Sequence, residues 1–253
     1  MGGLDVLLRF YGLARSALIY HGNPLKRRRA RAFYRQFVRP GDLCFDIGAH
    51  LGDRTGPFLA LGAHVVAVEP QPGALAVLRG LYGRNPRVAI IAAAAGAAPG
   101  EAELRVDPTN PTVASLSPEW RALISRSPRF SGIRWRESCR VAVTTLDAII
   151  AAHGVPAFCK IDVEGFEAEV LMGLTQPIPA LSFEYIPAAP VAAATALERL
   201  AALGVYRFNR SLGESMRFVG SDWRRAEAMA KELAGLAADA GSGDVYARLV
   251  TAR

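Results

Sequence analysis

The chain has 253 residues, 51% of them hydrophobic and 21% charged. That is enough for one large α/β domain and excludes a disordered chain. Its three cysteines, Cys44, Cys139 and Cys159, show no metal-ligand spacing and leave an odd count, which excludes a disulfide framework and suits a reducing, cytoplasmic compartment. No stretch reaches the length of a membrane span, and the start lacks a clear cleavable signal.

In chain order, residues 4–20 carry apolar side chains at helical spacing, interrupted by Arg9 and Arg15. The pattern predicts a short amphipathic helix, packed on the domain or lying on a membrane surface. Residues 25–38 predict a second helix, so residues 1–39 read as a helical appendage to a domain at 40–253. The net charge of +7 is concentrated here, in Lys26-Arg27-Arg28-Arg29-Ala30-Arg31 with Arg35 and Arg39 following. Such a run is a solvated helix face, or a contact for an anionic membrane, a nucleic acid or an acidic substrate. Phe33, Tyr34 and Phe37 could stack bases, but their spacing suits a helix's inner face equally well.

Leu43–Ile47 is apolar on both faces, as in a parallel strand covered on both sides. A helix at 53–61, a strand at 63–69, a helix at Pro72–Tyr82 and a strand at 87–92 complete a doubly wound beginning. The rhythm then changes. Residues 102–106 alternate like an edge strand. Residues 107–140 read as an inserted loop or lid, with Trp120 and Trp135 as platforms for a ring or sugar face. A second basic patch, Arg126, Arg129, Arg134, Arg136 and Arg140, lies there. Strands at 140–143, 158–163, Ala180–Tyr185, 205–209, 216–219 and 245–250 alternate with helices at 145–153, 166–174, 191–203 and 223–240. Thr144 or Thr145 caps the helix at 145–153. The fold expected is a doubly wound, mostly parallel α/β sheet of seven strands with one reversed strand.

The chemistry starts at Phe45-Asp46-Ile47-Gly48-Ala49-His50-Leu51-Gly52-Asp53-Arg54-Thr55, a buried strand that breaks into a glycine loop and opens a helix. A dinucleotide site needs Gly-x-Gly-x-x-Gly. Here His50 and Asp53 replace the second and third glycines. A histidine side chain keeps a pyrophosphate off the backbone, and an aspartate in the first turn repels it. The loop therefore suits an adenosine cofactor without phosphates, S-adenosylmethionine, and disfavours a dehydrogenase. Asp46 can accept from the cofactor's ammonium or hold the loop. Gly48 and Gly52 permit positive φ, and Thr55 with the helix start can take a carboxylate. Glu69 ends the next strand some twenty residues on, where an acid bonds ribose hydroxyls, and Pro70 sets the turn after it.

Lys160-Ile161-Asp162-Val163-Glu164-Gly165 brings a third group to the same sheet edge. Residues two apart share a face, so Lys160 and Asp162 form a pair that is structural or that orients a hydroxyl and takes its proton. Asp162 is the first candidate base, with His50 and His153 as fallbacks. Glu164 could cap the next helix, while Glu167 and Glu169 read as plain helix-start charges. Asp162, Glu164 and Glu184 are hard oxygen ligands near strand ends. A divalent ion there is not favoured, since no compact metal signature is present.

Taken together, residues 45–55, Val68-Glu69-Pro70, Thr145-Leu146-Asp147 and Lys160–Gly165 resemble the FkbM family of methyltransferases, from about residue 40 to residue 187. The resemblance implies the Rossmann-like class I methyltransferase fold, with S-adenosylmethionine as cofactor and S-adenosylhomocysteine as product. It implies O-methylation of a hydroxyl on a sugar, polyketide or other secondary metabolite. It places the cofactor on Asp46, Gly48, Ala49, His50, Thr55 and Glu69, with adenine near Ala94 and Ala95. His50 departs from the asparagine often found at its place. A small hydroxylated acceptor is the expected partner, bounded by Trp120, Trp135, Glu164 and Glu184. Competing readings are a nucleic-acid methyltransferase using the basic patches, disfavoured because no base-flipping motif appears, and a non-catalytic cofactor-binding module. Peripheral membrane contact through the basic N-terminal helices is a further expectation.

Overall fold

The computed structural model describes residues 23–126 and 132–250. The helix expected at 4–20 and Arg129 lie outside the described residues. Helix α1, Pro24–Tyr34, starts where the Asn23 side chain accepts from the Lys26 N–H at 3.1 Å. Proline in its first turn loses no helical hydrogen bond. Ala30, Phe33 and Tyr34 form its buried face.

The chain then builds β1 Leu43–Ile47, α2 Thr55–Ala60, β2 His64–Val68, α3 Pro72–Tyr82 and β3 Val88–Ile91. Short β4 Ala94–Ala95 and longer β5 Gly100–Val106 follow, then α4 Pro118–Ile124, β6 Glu137–Thr144 and α5 Leu146–His153. The C-terminal part runs β7 Phe158–Ile161, α6 Glu167–Met172, β8 Ala180–Tyr185, α7 Pro190–Leu203, β9 Tyr206–Arg210, α8 Ala226–Ala234 and β10 Gly243–Leu249.

The main sheet has seven strands in the order β3-β2-β1-β7-β8-β10-β9. Neighbours from β3 to β8 are parallel, and β10 runs antiparallel to both β8 and β9. This is the doubly wound sheet with one reversed strand that the sequence leads one to expect. Alternation on β1 sorts its side chains between two cores. Phe45 and Ile47 join a cluster with Leu146, Val170, Leu171 and Leu197. Cys44 joins Tyr34, Phe58 and Phe158 on the other face. The chain moves outward from β1 to β3 and returns to β7 on the other side of β1. The strand order therefore reverses between β1 and β7, and ligands bind outside the carboxyl ends of strands at such a point.

Three expectations change. Residues 107–140 are not an open loop: they hold a 3₁₀ turn at Pro111–Val113, helix α4 and the first half of β6, and β6 joins β4 and β5 in a second sheet, order β4-β6-β5. Residues 216–219 are not a strand; only a single bridge, Ser211 to Phe218, forms there. The helix expected at 223–240 is shortened to Ala226–Ala234. Arg224 exchanges backbone hydrogen bonds with Phe208 and stays extended, and Gly235 ends the helix. Aromatic packing explains both: Phe218 and Trp223 meet at 5.2 Å and close over Phe33, Phe37 and Tyr246, so burial overrides local periodicity.

Candidate active site

The loop after β1 is stapled to the end of β2: the Gly48 and Ala49 N–H groups both donate to the Val68 carbonyl, at 2.9 and 3.0 Å. Gly48 has φ +79, and a Cβ there would lie 1.9 Å from the Asp162 carbonyl oxygen. Only glycine lets the loops after β1 and β7 touch. His50 also holds a left-handed backbone, φ 47, which turns its N–H onto Glu69.

Glu69 is buried at the end of β2. One carboxylate oxygen accepts from the His50 N–H and the other from the Gln71 N–H, each at 2.7 Å. Burial pushes its carboxyl up to about 7 against those two hydrogen bonds. Asp46 is buried beneath the loop and accepts from the Thr55 hydroxyl at 2.6 Å. Burial likewise raises it to about 6. Such shifts cluster where a site is built to hold polar ligands.

Glu69 lies at one wall of a cavity of about 540 Å³. Asp162, Glu164, Gly48 and His50 line it as well. Val68, Ala93, Ala94, Ala95, Leu104, Ala114, Leu116 and Phe166 make most of the rest apolar, with Gln71 and Thr112 the polar exceptions. Gly48, His50, Thr112, Asp162 and Glu164 also border an adjoining, polar cavity of about 510 Å³, whose other lining includes Asp46, Ala49, Asp53, Arg54 and Glu214. An apolar slot with a carboxylate that has spare lone pairs at one wall, opening into a polar chamber, suits an adenosine whose tail continues past Gly48.

Lys160 is fully buried behind Asp162. Its Nζ lies 3.1 Å from an Asp162 oxygen and 3.0 Å from one of Asp244, and donates to the Ile161 carbonyl at 3.0 Å. Burial works against its charge, but Asp162 and Asp244 outweigh burial and hold it above the ordinary lysine range. The shared face expected of Lys160 and Asp162 is therefore present, and it makes Lys160 a positioning group, since it lines neither cavity. Burial drops His50 to about 4 despite the Asp162 charge, so the imidazole is neutral at pH 7.

Other candidates fall in different places. Pro70, Ala94 and Ala95 line the first cavity and Ala49 the second. Gly52 and Thr55 line neither. Thr55 is spent on Asp46, and a Cβ on Gly52 would press into the Tyr82 ring at 2.4 Å. Trp120 and Trp135 are not open platforms. Their rings meet edge to face at 6.4 Å within a cluster with Val113, Ile124 and Ile133, and the Trp135 indole donates to the Val113 carbonyl at 3.1 Å. Apolar area drives both rings into the lid's own core.

The carboxylates of Asp162, Glu164 and Glu184 lie within 4.8 Å of one another. Burial, together with the charges of Glu164, Asp162 and Glu167, raises Glu184 well above the usual carboxylate range. Glu167 corrects another expectation: it is buried, not a plain helix-start charge. It accepts from the Val163 and Gly165 N–H groups at 3.1 and 3.2 Å, which ties the loop that carries Asp162 and Glu164.

Several site residues were missed. Arg54 is nearly buried and donates to both Glu214 oxygens at 2.7 Å and to Asp53. Lys26 lies 3.5 Å from Asp53 and 3.6 Å from Glu214. Together they form a charge-balanced collar on the polar cavity. Nothing in the spacing of Lys26, Arg54, Glu214 and Asp244 signals this, because the contacts join chain segments far apart in sequence.

Among known proteins, the model of the methyltransferase FkbM domain matches residues 46–187. No curated protein matches. Among solved structures, a TehB-like SAM-dependent methyltransferase from Corynebacterium glutamicum is similar at 10% identity and TM-score 0.48, over 97% of this chain and 99% of that one. A precorrin-6y C5,15-methyltransferase from Geobacter metallireducens is similar at 11% identity and TM-score 0.46, over 88% of this chain and 87% of that one. The matched segment is more than half of the chain and contains the ends of β1, β2 and β7 that build the cavities, so the chain belongs to the FkbM family of S-adenosylmethionine-dependent methyltransferases.

Proposed function

We propose that the protein transfers the methyl group of S-adenosylmethionine to a hydroxyl oxygen of a small acceptor, a sugar, polyketide or other secondary metabolite. The observation that carries this is one cavity lined by both Glu69 and Asp162, which shares Asp162, Gly48 and His50 with an adjoining polar chamber. Glu69 keeps lone pairs for a ribose diol after taking its two backbone N–H groups. The alanines at 93–95 and Phe166 offer an adenine an apolar slot. Asp46 and Ala49 border the chamber where the amino-acid end would lie. The donor set therefore fits the cofactor.

When bound, the cofactor supplies an electrophilic methyl on a sulfonium. The chain's part is to hold the acceptor in line, which is the larger share of such catalysis, and to accept its proton. Asp162 is the base proposed: its side chain is 35% exposed, stands at the junction of the two cavities, and is aimed by Lys160. Thr112, Ala114 and Leu116 cover the cavities from the lid side, and the Ser115 hydroxyl fastens the lid to the Glu164 carbonyl at 2.7 Å. This cover excludes water from the transfer.

Calorimetry with S-adenosylhomocysteine tests the cofactor half. Glu69→Gln should weaken binding about tenfold or more, since hydrogen bonds to charged groups are worth about 1.5–3 kcal/mol. Unchanged affinity in the variant would remove Glu69 from the cofactor site. Gly48→Val is a poor probe, because its side chain would strike the Asp162 backbone whether or not a ligand binds.

A further inference from the structure

Helix α1 carries Lys26, Arg27, Arg28, Arg29 and Arg31 and no acidic residue. Lys26 is committed to the collar of Asp53 and Glu214. Arg27, Arg28 and Arg31 are not: among the described residues, no carboxylate pairs with them. They line one side of a groove of about 620 Å³ between α1 and α2, whose other side is Gly56, Pro57 and Ala60. Gly56 lets the helices close: a Cβ there would lie 3.3 Å from an Arg27 guanidinium nitrogen. Like charges at i and i+4, as at 27 and 31, oppose the helix by a few tenths of a kcal/mol. Three guanidiniums without a carboxylate partner among the described residues, along one groove, are a fork-shaped donor array that matches phosphate oxygens.

The groove adjoins the proposed active site. Arg27 follows Lys26, whose ammonium touches two residues of the polar cavity, and Gly56 lies three residues after Asp53. At a rise of 1.5 Å per residue, the stretch from the N-cap Arg54, which lines the polar cavity, to Ala60 spans about 9 Å, roughly the reach of one sugar unit with its linkage. We propose that this groove binds a phosphate or pyrophosphate carried by the methyl acceptor, which makes the acceptor a phosphorylated hydroxy compound. The inference rests on the methyl-transfer reading above and gives its substrate a chemical class. A nucleic acid fits less well. The aromatics beside the basic run, Phe33, Tyr34 and Phe37, face inward onto Phe58, Phe158 and Tyr246, so none of these three is placed to stack a base in the groove.

The test is calorimetry of the full chain with inorganic pyrophosphate at 150 mM salt, in the wild type and in a triple variant Arg27→Gln, Arg28→Gln, Arg31→Gln. These side chains are exposed and glutamine is a good helix former, so the fold should persist. Pyrophosphate should bind the wild type, at least tenfold more weakly the variant, and without displacing S-adenosylhomocysteine. The latter should bind both proteins equally. Phosphatidylglycerol vesicles that bind and are displaced by pyrophosphate would identify the phosphate as a lipid's and support the site. Absent pyrophosphate binding, or equal binding to both proteins, overturns the proposal. So does vesicle binding that pyrophosphate leaves intact, or a 20-nucleotide single-stranded RNA that binds more tightly than pyrophosphate and loses affinity in the variant. Failure of S-adenosylhomocysteine to bind the wild type would instead strike the methyl-transfer reading and leave the groove's result standing.

Discussion

Burial holds the His50 imidazole at about 4, and a base that weak accepts little of a hydroxyl's proton. Asp162 borders both cavities and is oriented by a buried ammonium 3.1 Å away. In the proposed reaction Asp162→Asn keeps the shape and removes the acceptor of the proton. We expect kcat to fall about 10²–10⁴-fold, with S-adenosylhomocysteine affinity held within about threefold. Single-turnover transfer and calorimetry on the same preparation separate the two. Equal losses in rate and affinity would make Asp162 a cofactor ligand, not a base. The acids at 46, 69 and 162 were legible as residues because strand ends and loop glycines mark them. Their roles were not, since Lys160 is held between Asp162 and Asp244, and the second partner lies some eighty residues away.

Elements explain the residues that moved out of the site. The lid keeps its two indoles for itself, and Trp120 presses on Gly165 so closely that a Cβ there would lie 2.2 Å from the ring. Trp120 is 4% exposed, so Trp120→Ala should cost about 3 kcal/mol or more in urea unfolding, close to 10 °C in Tm for a chain of this size. An acceptor platform would behave differently: stability would hold and only acceptor affinity would fall. The pattern of residues 107–140 could not show this. A tryptophan in a Pro- and Ser-rich stretch looks the same whether it covers a substrate or a core. Helices and strands of the doubly wound part were readable because their apolar period is strong and glycines or prolines end them. Residues 216–240 were not, because Phe218 and Trp223 are held by Phe33, Phe37 and Tyr246 from the two ends of the chain.

For the whole molecule the buried acids set a pH dependence. Burial raises Glu69 and Glu167 to about 7 and Asp46 to about 6. The folded state therefore binds more protons than the unfolded chain between about pH 4 and 7, and stability falls as pH rises through that window. His50, lowered to about 4, opposes one of the three below pH 6.5. Glu214, held near 2 because Arg54 and Lys26 outweigh its burial, acts only at more acid pH. The unliganded protein should lose on the order of 2 kcal/mol, roughly 5 °C in Tm, between pH 6 and pH 8; a Tm that rises over that interval would contradict the buried, unpaired placement of these acids. By itself the sequence determined the doubly wound sheet, the reversed strand and the strand ends that carry Asp46, Glu69 and Asp162, because local period and punctuation are encoded in contiguous residues. Only the tertiary structure decided that Lys160 also meets Asp244, that Thr55 serves Asp46, that the tryptophans serve the lid, and that Lys26, Arg54 and Glu214 ring the polar cavity. Those choices depend on which distant segments burial brings together, and no contiguous stretch of the chain contains that information.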